Sequence, residues 1–270
     1  MSAKNKSGRG GGRAKRKQIQ SEDGWTVITH GLSKVLLDEK DSKQDAGSLL
    51  PQIVKDLTVE KLTAEFKLLQ ERWEDTALAT QVIEIIGEQK EWDVREAVCI
   101  GIGSFSRDWA HRWRSLWQLV LFVDVVGRRT VKQENKDMEV SCYAQDPAFT
   151  SLDTEFLSLL SITTLESGLE NKITLESFVY SPFVDWFLLL PTFLVGRDPA
   201  LYVGNEILDD YDIFAQSREK RECLEECNKI GRKWLEGRRM VKLKEFEKHA
   251  NALNGMVVYW REGKDDGEKK

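Results

Sequence analysis

The chain has 270 residues, a formal net charge of -5 and 41% hydrophobic residues, a balance that suits a folded globular protein and excludes a fibrous or wholly disordered one. No apolar run reaches the roughly 20 residues that span a bilayer, so no membrane association is expected. Residues 1–17 hold seven cations, no acid and no apolar stretch, unlike a secretory leader, and the remainder carries 33 cations against 45 acids, a net of -12.

Residues 1–23 have almost nothing to bury and are expected to form a disordered basic tail, since they cannot offset the entropy of ordering. A polar linker follows over 38–48, with a short apolar patch around Trp25, Val27 and Ile28 between the two. One α/β domain is expected over 24–262, and a second disordered tail over 263–270.

The first strong helix begins after Thr58, a good N-cap, with Val59, Leu62, Phe66, Leu69 and Trp73 on one apolar stripe. A second covers about 76–90, with Leu78, Val82, Ile85 and Ile86 inward. From Glu96 short apolar runs alternate with helices. AVCIGIG (97–103) reads as a strand buried on both faces, and 106–126 as a helix capped by Ser106 with Trp109, Trp113 and Trp117 packed on one face. A second strand spans 140–144, a helix 151–160, a third strand 162–165, a fourth WFLLLP (186–191) and a fifth ALYVGN (200–205). This alternation predicts βαβ units and a mostly parallel sheet with flanking helices. A C-terminal helix capped by Ser217 carries Cys223, Cys227, Ile230 and Trp234, a further helical turn holds Leu243 and Phe246, and GMVVYW (255–260) is a last strand.

Three small polar turns fall at the carboxyl edge of such a sheet, where open α/β sheets bind ligands. In the first, Gly101, Gly103 and Ser104 allow a tight turn through which backbone N–H groups approach an anion, with Arg107 in reach of it. The dinucleotide fingerprint wants a third glycine where this chain has Ser106, so a plain turn is an equal reading. In the second, Asp146 before Pro147 is an acid that either accepts from a ribose or caps its own loop. In the third, Gly204 offers positive φ and Asn205 both donates and accepts.

No catalytic set follows. No G-x-S-x-G elbow occurs, and His30, His111 and His249 are scattered. Cys223 and Cys227 have no companion Cys/His pair, so no metal site is expected. Cys99 and Cys142 sit in apolar runs. Four cysteines without a disulfide framework point to a reducing compartment, cytoplasm or nucleus. Nucleic acid is expected to touch only the RAKRK segment (13–17), which also suits a nuclear import receptor.

The strings VCIGIGSFS (98–106), WQL (117–119), YAQDPAF (143–149), FLLLP (187–191) and VGNEILDDY (203–211) together resemble the Sensitivity to Red Light Reduced (SRR-like) domain family, over about residues 90–211. The helical C-terminal third resembles an extension of fungal members. The resemblance implies a Rossmann-like α/β domain and a regulatory protein of the light-signalling and circadian kind, with no assigned reaction and no known cofactor. Family members often carry Met-Pro-His-Cys where this chain has Leu190-Pro191-Thr192-Phe193, and Gly-Asn-Ser where it has Gly204-Asn205-Glu206. A role for that His and Cys is therefore not expected here. Three functions follow as expectations: a non-catalytic or small-ligand-binding regulatory module, whose partner is an unknown protein or small molecule; an enzyme binding a nucleotide or S-adenosylmethionine at the sheet edge; and an interaction protein acting through the basic tail and charged C-terminal helix.

Overall fold

The computed structural model describes residues 17–20, 26–29, 51–88, 94–132, 140–215 and 217–262. The remainder of the 1–23 tail, the 38–48 linker, Trp25 and the 263–270 tail lie outside the described residues. Residues 1–50 and 51–270 form separate units. In the first, β1 (Lys17–Gln20) pairs antiparallel with β2 (Thr26–Thr29).

The second unit opens with α1 (Val59–Glu74), whose N-terminus is capped by the Thr58 hydroxyl accepting from Lys61 N–H at 3.3 Å. Every stripe residue from Val59 to Trp73 is buried, each contributing about 1.5–3 kcal/mol of apolar transfer. The second helix, α2 (Ala77–Glu88), buries Leu78, Val82, Ile85 and Ile86 as its spacing predicts.

The remaining chain builds a seven-stranded sheet. Its strands are β3 (Glu96–Ile100), β4 (Ser141–Gln145), β5 (Ile162–Thr164), β6 (Ser177–Ser181), β7 (Leu201–Asn205), β8 (Arg238–Lys242) and β9 (Met256–Arg261). They lie in the order β5-β4-β3-β6-β7-β9-β8. The first five run parallel, and β9 runs antiparallel to both its neighbours. The fold is thus a mostly parallel, Rossmann-like α/β sheet with flanking helices. One face, through Ala97, Cys99, Phe178, Tyr180, Leu201 and Val203, shares a core with α1, α2, α3 (Arg112–Lys132) and α4 (Ser151–Leu159). Phe122 of α3 seats on Phe178 and Tyr180, with ring centroids 5.6 and 5.7 Å away. On the other face Tyr202 and Tyr259 meet Trp234 of α6 (Arg218–Leu235) at 5.4 and 5.3 Å. Helices on both faces explain why β3 and β6 are continuous runs of buried residues.

Four expectations are corrected. The fourth strand is SFVYS (177–181); WFLLLP instead forms α5 (Trp186–Leu188) and the start of a π-helical turn over Leu189–Leu194. An unbroken apolar run has no period by which to tell strand from buried helix. The helix predicted from 106 starts at Arg112, because residues 104–111 are used in a polar network described below. Its tryptophans accordingly do not share a buried face: Trp109 precedes the helix, Trp117 is buried, and Trp113 is 44% exposed. Finally, α6 ends at Leu235, and the chain forms strand β8 with no further helix at Leu243 and Phe246.

Candidate functional site at the carboxyl edge of the sheet

From β3 the chain steps outward to β4 and β5, then returns to β6 on the other side of β3. The crevice at the carboxyl ends of β3 and β6 is therefore the topological switch point, the usual ligand position in open α/β sheets.

On one side of it stands the glycine turn. Gly101 has φ +68° and donates its N–H to Gln145 O at 3.0 Å. Gly103 has φ +81°, and a Cβ there would lie 2.8 Å from Ser115 Oγ and 3.1 Å from the Trp109 ring. Glycine is thus demanded twice at 103, by conformation and by the first turn of α3 packed against it. The turn does not lead straight into a helix N-terminus: a network intervenes.

That network centres on Asp153, a residue the sequence reading passed over. Its carboxylate is fully buried and accepts from Ser104 Oγ at 2.6 Å, Phe105 N–H at 3.0 Å and Thr150 N–H at 2.8 Å. Asp153 also closes a capping box with Thr150 at the start of α4. Ser104, likewise buried, accepts in turn from Ser106 N–H at 3.2 Å and Arg107 N–H at 3.1 Å. The Ser106 hydroxyl, 2.7 Å from Thr150 Oγ1, belongs to the same cluster. Arg107 donates from Nε to Ala148 O at 2.9 Å and from Nη1 to Pro51 O at 2.8 Å. Segment 51–54 straps this loop, with Val54 N–H on Ser106 O at 2.8 Å and Asp108 N–H on Gln52 O at 2.7 Å.

Asp146 ends β4 and ties the two turns together. Its Oδ2 accepts from Gly103 N–H and its Oδ1 from Ala148 N–H, both at 2.7 Å. Burial raises its pKa to about 6, against the pull of those two N–H groups and of Arg107. The carboxylate thus shapes its own loop and the glycine turn at the carboxyl edge of the sheet.

Across β6, Gly204 does not adopt positive φ. Glycine is needed there because a Cβ would come within 2.4 Å of Ser181 O and 2.6 Å of Tyr202 Oη. Asn205 accepts from Phe183 N–H at 3.2 Å and donates to Val184 O at 3.1 Å, pinning the loop after β6. Phe183 has φ +57°, an uncommon conformation for an aromatic residue, and is 39% exposed.

The seven expected residues therefore brace the crevice from its two sides. Gly101, Gly103, Ser104, Arg107 and Asp146 cluster on the β3–β4 side, while Gly204 and Asn205 fix the β6–β7 side. Most of their polar groups are spent on backbone. The group left over is Arg114, in the first turn of α3. Its guanidinium lies over the Phe183 ring, 5.5 Å from the centroid, its Nε is buried without a hydrogen bond, and no carboxylate pairs with it among the described residues. Burial lowers its pKa. The hydroxyl of Tyr180, buried near the end of β6, also lacks a partner among the described residues. Sequence could show Arg107, Arg112 and Arg114 close together, but not that Arg107 would be spent on the Ala148 and Pro51 carbonyls and Arg112 on Glu65, with Arg114 left.

No group of His, Cys, Asp and Glu able to hold a metal occurs among the described residues. Leu190-Pro191-Thr192-Phe193 lies inside the π-helical turn.

An SRR1 domain model matches residues 60–260, and the chain belongs to that family. Among solved structures, the chain is similar to a Klebsiella pneumoniae protein described as an O-methyltransferase, at 10% identity and a TM-score of 0.41, over 80% of this chain and 94% of that one. It is also similar to the Podospora anserina methyltransferase PaMTH1 with SAH bound, at 9% identity and a TM-score of 0.36, over 79% and 91%. No curated protein matches the chain.

Proposed function

We propose that this SRR1-family protein is a regulatory module that binds a small anionic molecule in the crevice between β3 and β6. The observation that carries the reading is Arg114. A part-buried guanidinium without a carboxylate is costly to keep unless something charged completes it, and this one sits at the switch point. The Phe183 ring beneath it, held by Asn205, offers an apolar wall. The braced turns supply rigidity, so little ordering would be lost on binding. The family's fungal type, its signalling role and a cytoplasmic or nuclear location belong to the same proposal.

A second reading is an enzyme that carries a nucleotide or S-adenosylmethionine in this crevice. It draws on Asp146, an acid at the end of the strand beside β3, where a ribose would be held. Thermal denaturation of the intact chain with nucleotides, S-adenosylmethionine and inorganic phosphate tests both. A true ligand at 100 times its Kd adds about 2.7 kcal/mol, and Arg114→Leu should erase the gain. Stabilisation by inorganic phosphate that persists undiminished in Arg114→Leu would overturn the crevice assignment. Stabilisation by phosphate alone would favour the module over the enzyme.

A further inference from the structure

A second basic site lies away from the crevice. A groove of about 330 Å³ is lined by Leu69 and Arg72 of α1, Trp113 and Trp117 of α3, and Lys248 and His249 of the β8–β9 connection. That volume is within the usual range for small-molecule sites. No carboxylate lines it, although the chain beyond residue 17 carries a net of -12. Among the described residues neither Arg72 nor Lys248 enters an ion pair, and the His249 Nδ1 is buried with no hydrogen-bond partner. A buried ring nitrogen without a partner is costly unless something polar meets it.

Trp113 gives the groove its flat wall. It is 44% exposed, an unusual state for the largest apolar side chain on a helix whose other tryptophan is buried. The Arg112 guanidinium sits 5.0 Å from its ring centroid and is itself fixed by Phe105 O, at 2.6 Å, and by Glu65. Trp117 is fixed against Phe246 at 4.9 Å. The indole is thus braced from the protein side and open on the groove side.

We infer that the groove binds a ligand joining a planar ring to an anion, the chemical class of a mononucleotide. The ring would stack on Trp113 and the anion would lie between Arg72 and Lys248, with the His249 side chain forming part of the wall. Each element answers one feature: stacking is tolerant of ring identity, and two mobile cations suit a phosphate. The inference does not rest on the crevice reading, since the residues differ throughout.

Calorimetric titration of the full chain with AMP, UMP, adenosine and inorganic phosphate is the test. The expected result is saturable AMP binding with Kd below about 1 mM. Adenosine and phosphate should each bind at least tenfold more weakly. Trp113→Ala should weaken AMP at least tenfold, and Trp113→Phe should restore most of that loss. The double change Arg72→Ala with Lys248→Ala should also weaken AMP tenfold, and both positions are exposed enough to leave the melting temperature in place. Arg114→Leu should change AMP affinity by less than twofold. AMP binding no tighter than phosphate, or full affinity in the double variant, would overturn the assignment. Loss of AMP binding in Arg114→Leu alone would also overturn it and move the nucleotide to the crevice.

Discussion

The Ser104 hydroxyl donates to the Asp153 carboxylate at 2.6 Å, joining the loop after β3 to the first turn of α4 across 49 residues of chain. Asp153 is fully buried and holds three donors, so removing it strands all of them. Each buried group left unsatisfied costs about 1–3 kcal/mol. Asp153→Ala should therefore lose at least about 3 kcal/mol, read from urea midpoints. Ser104→Ala should lose about 1–3 kcal/mol, and the double variant less than the sum, because the two share one bond.

Asp146 gives the protein a measurable pH signature. Its pKa is raised to about 6. An acid with a higher pKa folded than unfolded binds its proton more tightly in the folded state, so ionising it opposes folding. That unfavourable contribution is absent below the ordinary value near 4 and fully present above about 6. The stability of the native protein relative to Asp146→Asn should therefore fall as pH rises through 4–6 and be flat above. Urea unfolding at pH 4, 5, 6 and 7 reads this directly, and a constant difference would contradict it. The side-chain carboxyl carbon of Asp146 should titrate near 6 by NMR.

Gly204→Ala should destabilise although its backbone is ordinary. The added Cβ meets a backbone oxygen of β6 at 2.4 Å, which cannot swing aside as a side chain would. Overpacking of this kind costs about 1–3 kcal/mol. Gly196→Ala, with open space around its Cβ position, is the control: its cost should be confined to conformational strain at φ +66°.

Arg114→Leu should leave stability unchanged or raise it. The guanidinium gives up hydration without gaining a carboxylate, and replacing such a group with an apolar one is often neutral or stabilising. A melting temperature at or above the native value, together with loss of ligand-induced stabilisation, would separate function from folding at this position.

The parts of the fold governed by a period were legible in the sequence. The stripe from Val59 to Trp73 and the caps at Thr58 and Ser217 are all present as their chemistry predicts. The run WFLLLP was misread because it has no period, and SFVYS because its two serines disguise a strand buried along its whole length. RRMVK was missed for a different reason: β8 is an edge strand with Arg239 and Met240 exposed, and its charges continue those of α6. At the site, the turn residues were visible as turns, but not what their side chains hold. Ser104 serves the backbone N–H groups of its own loop, whereas Asp146 reaches Gly103 N–H and Asn205 reaches Phe183 N–H across the sheet edge, partners that only the tertiary structure defines. Arg114 stands out through the absence of a neighbouring carboxylate, and no local pattern encodes an absence.

The reversed strand β9 also dictates the order in which the molecule can be completed. Leu201 pairs with Trp260 and Asn205 with Met256, while β8 hydrogen-bonds to β9 alone. A nascent chain that has made everything up to residue 255 still has an open ladder on β7 and a β8 with nowhere to dock. The sheet can close only when residues 256–261 arrive and slot between strands made earlier. Completion of the sheet therefore waits for residues 256–261, and the exposed edge of β7 is the surface a chaperone would have to guard until then.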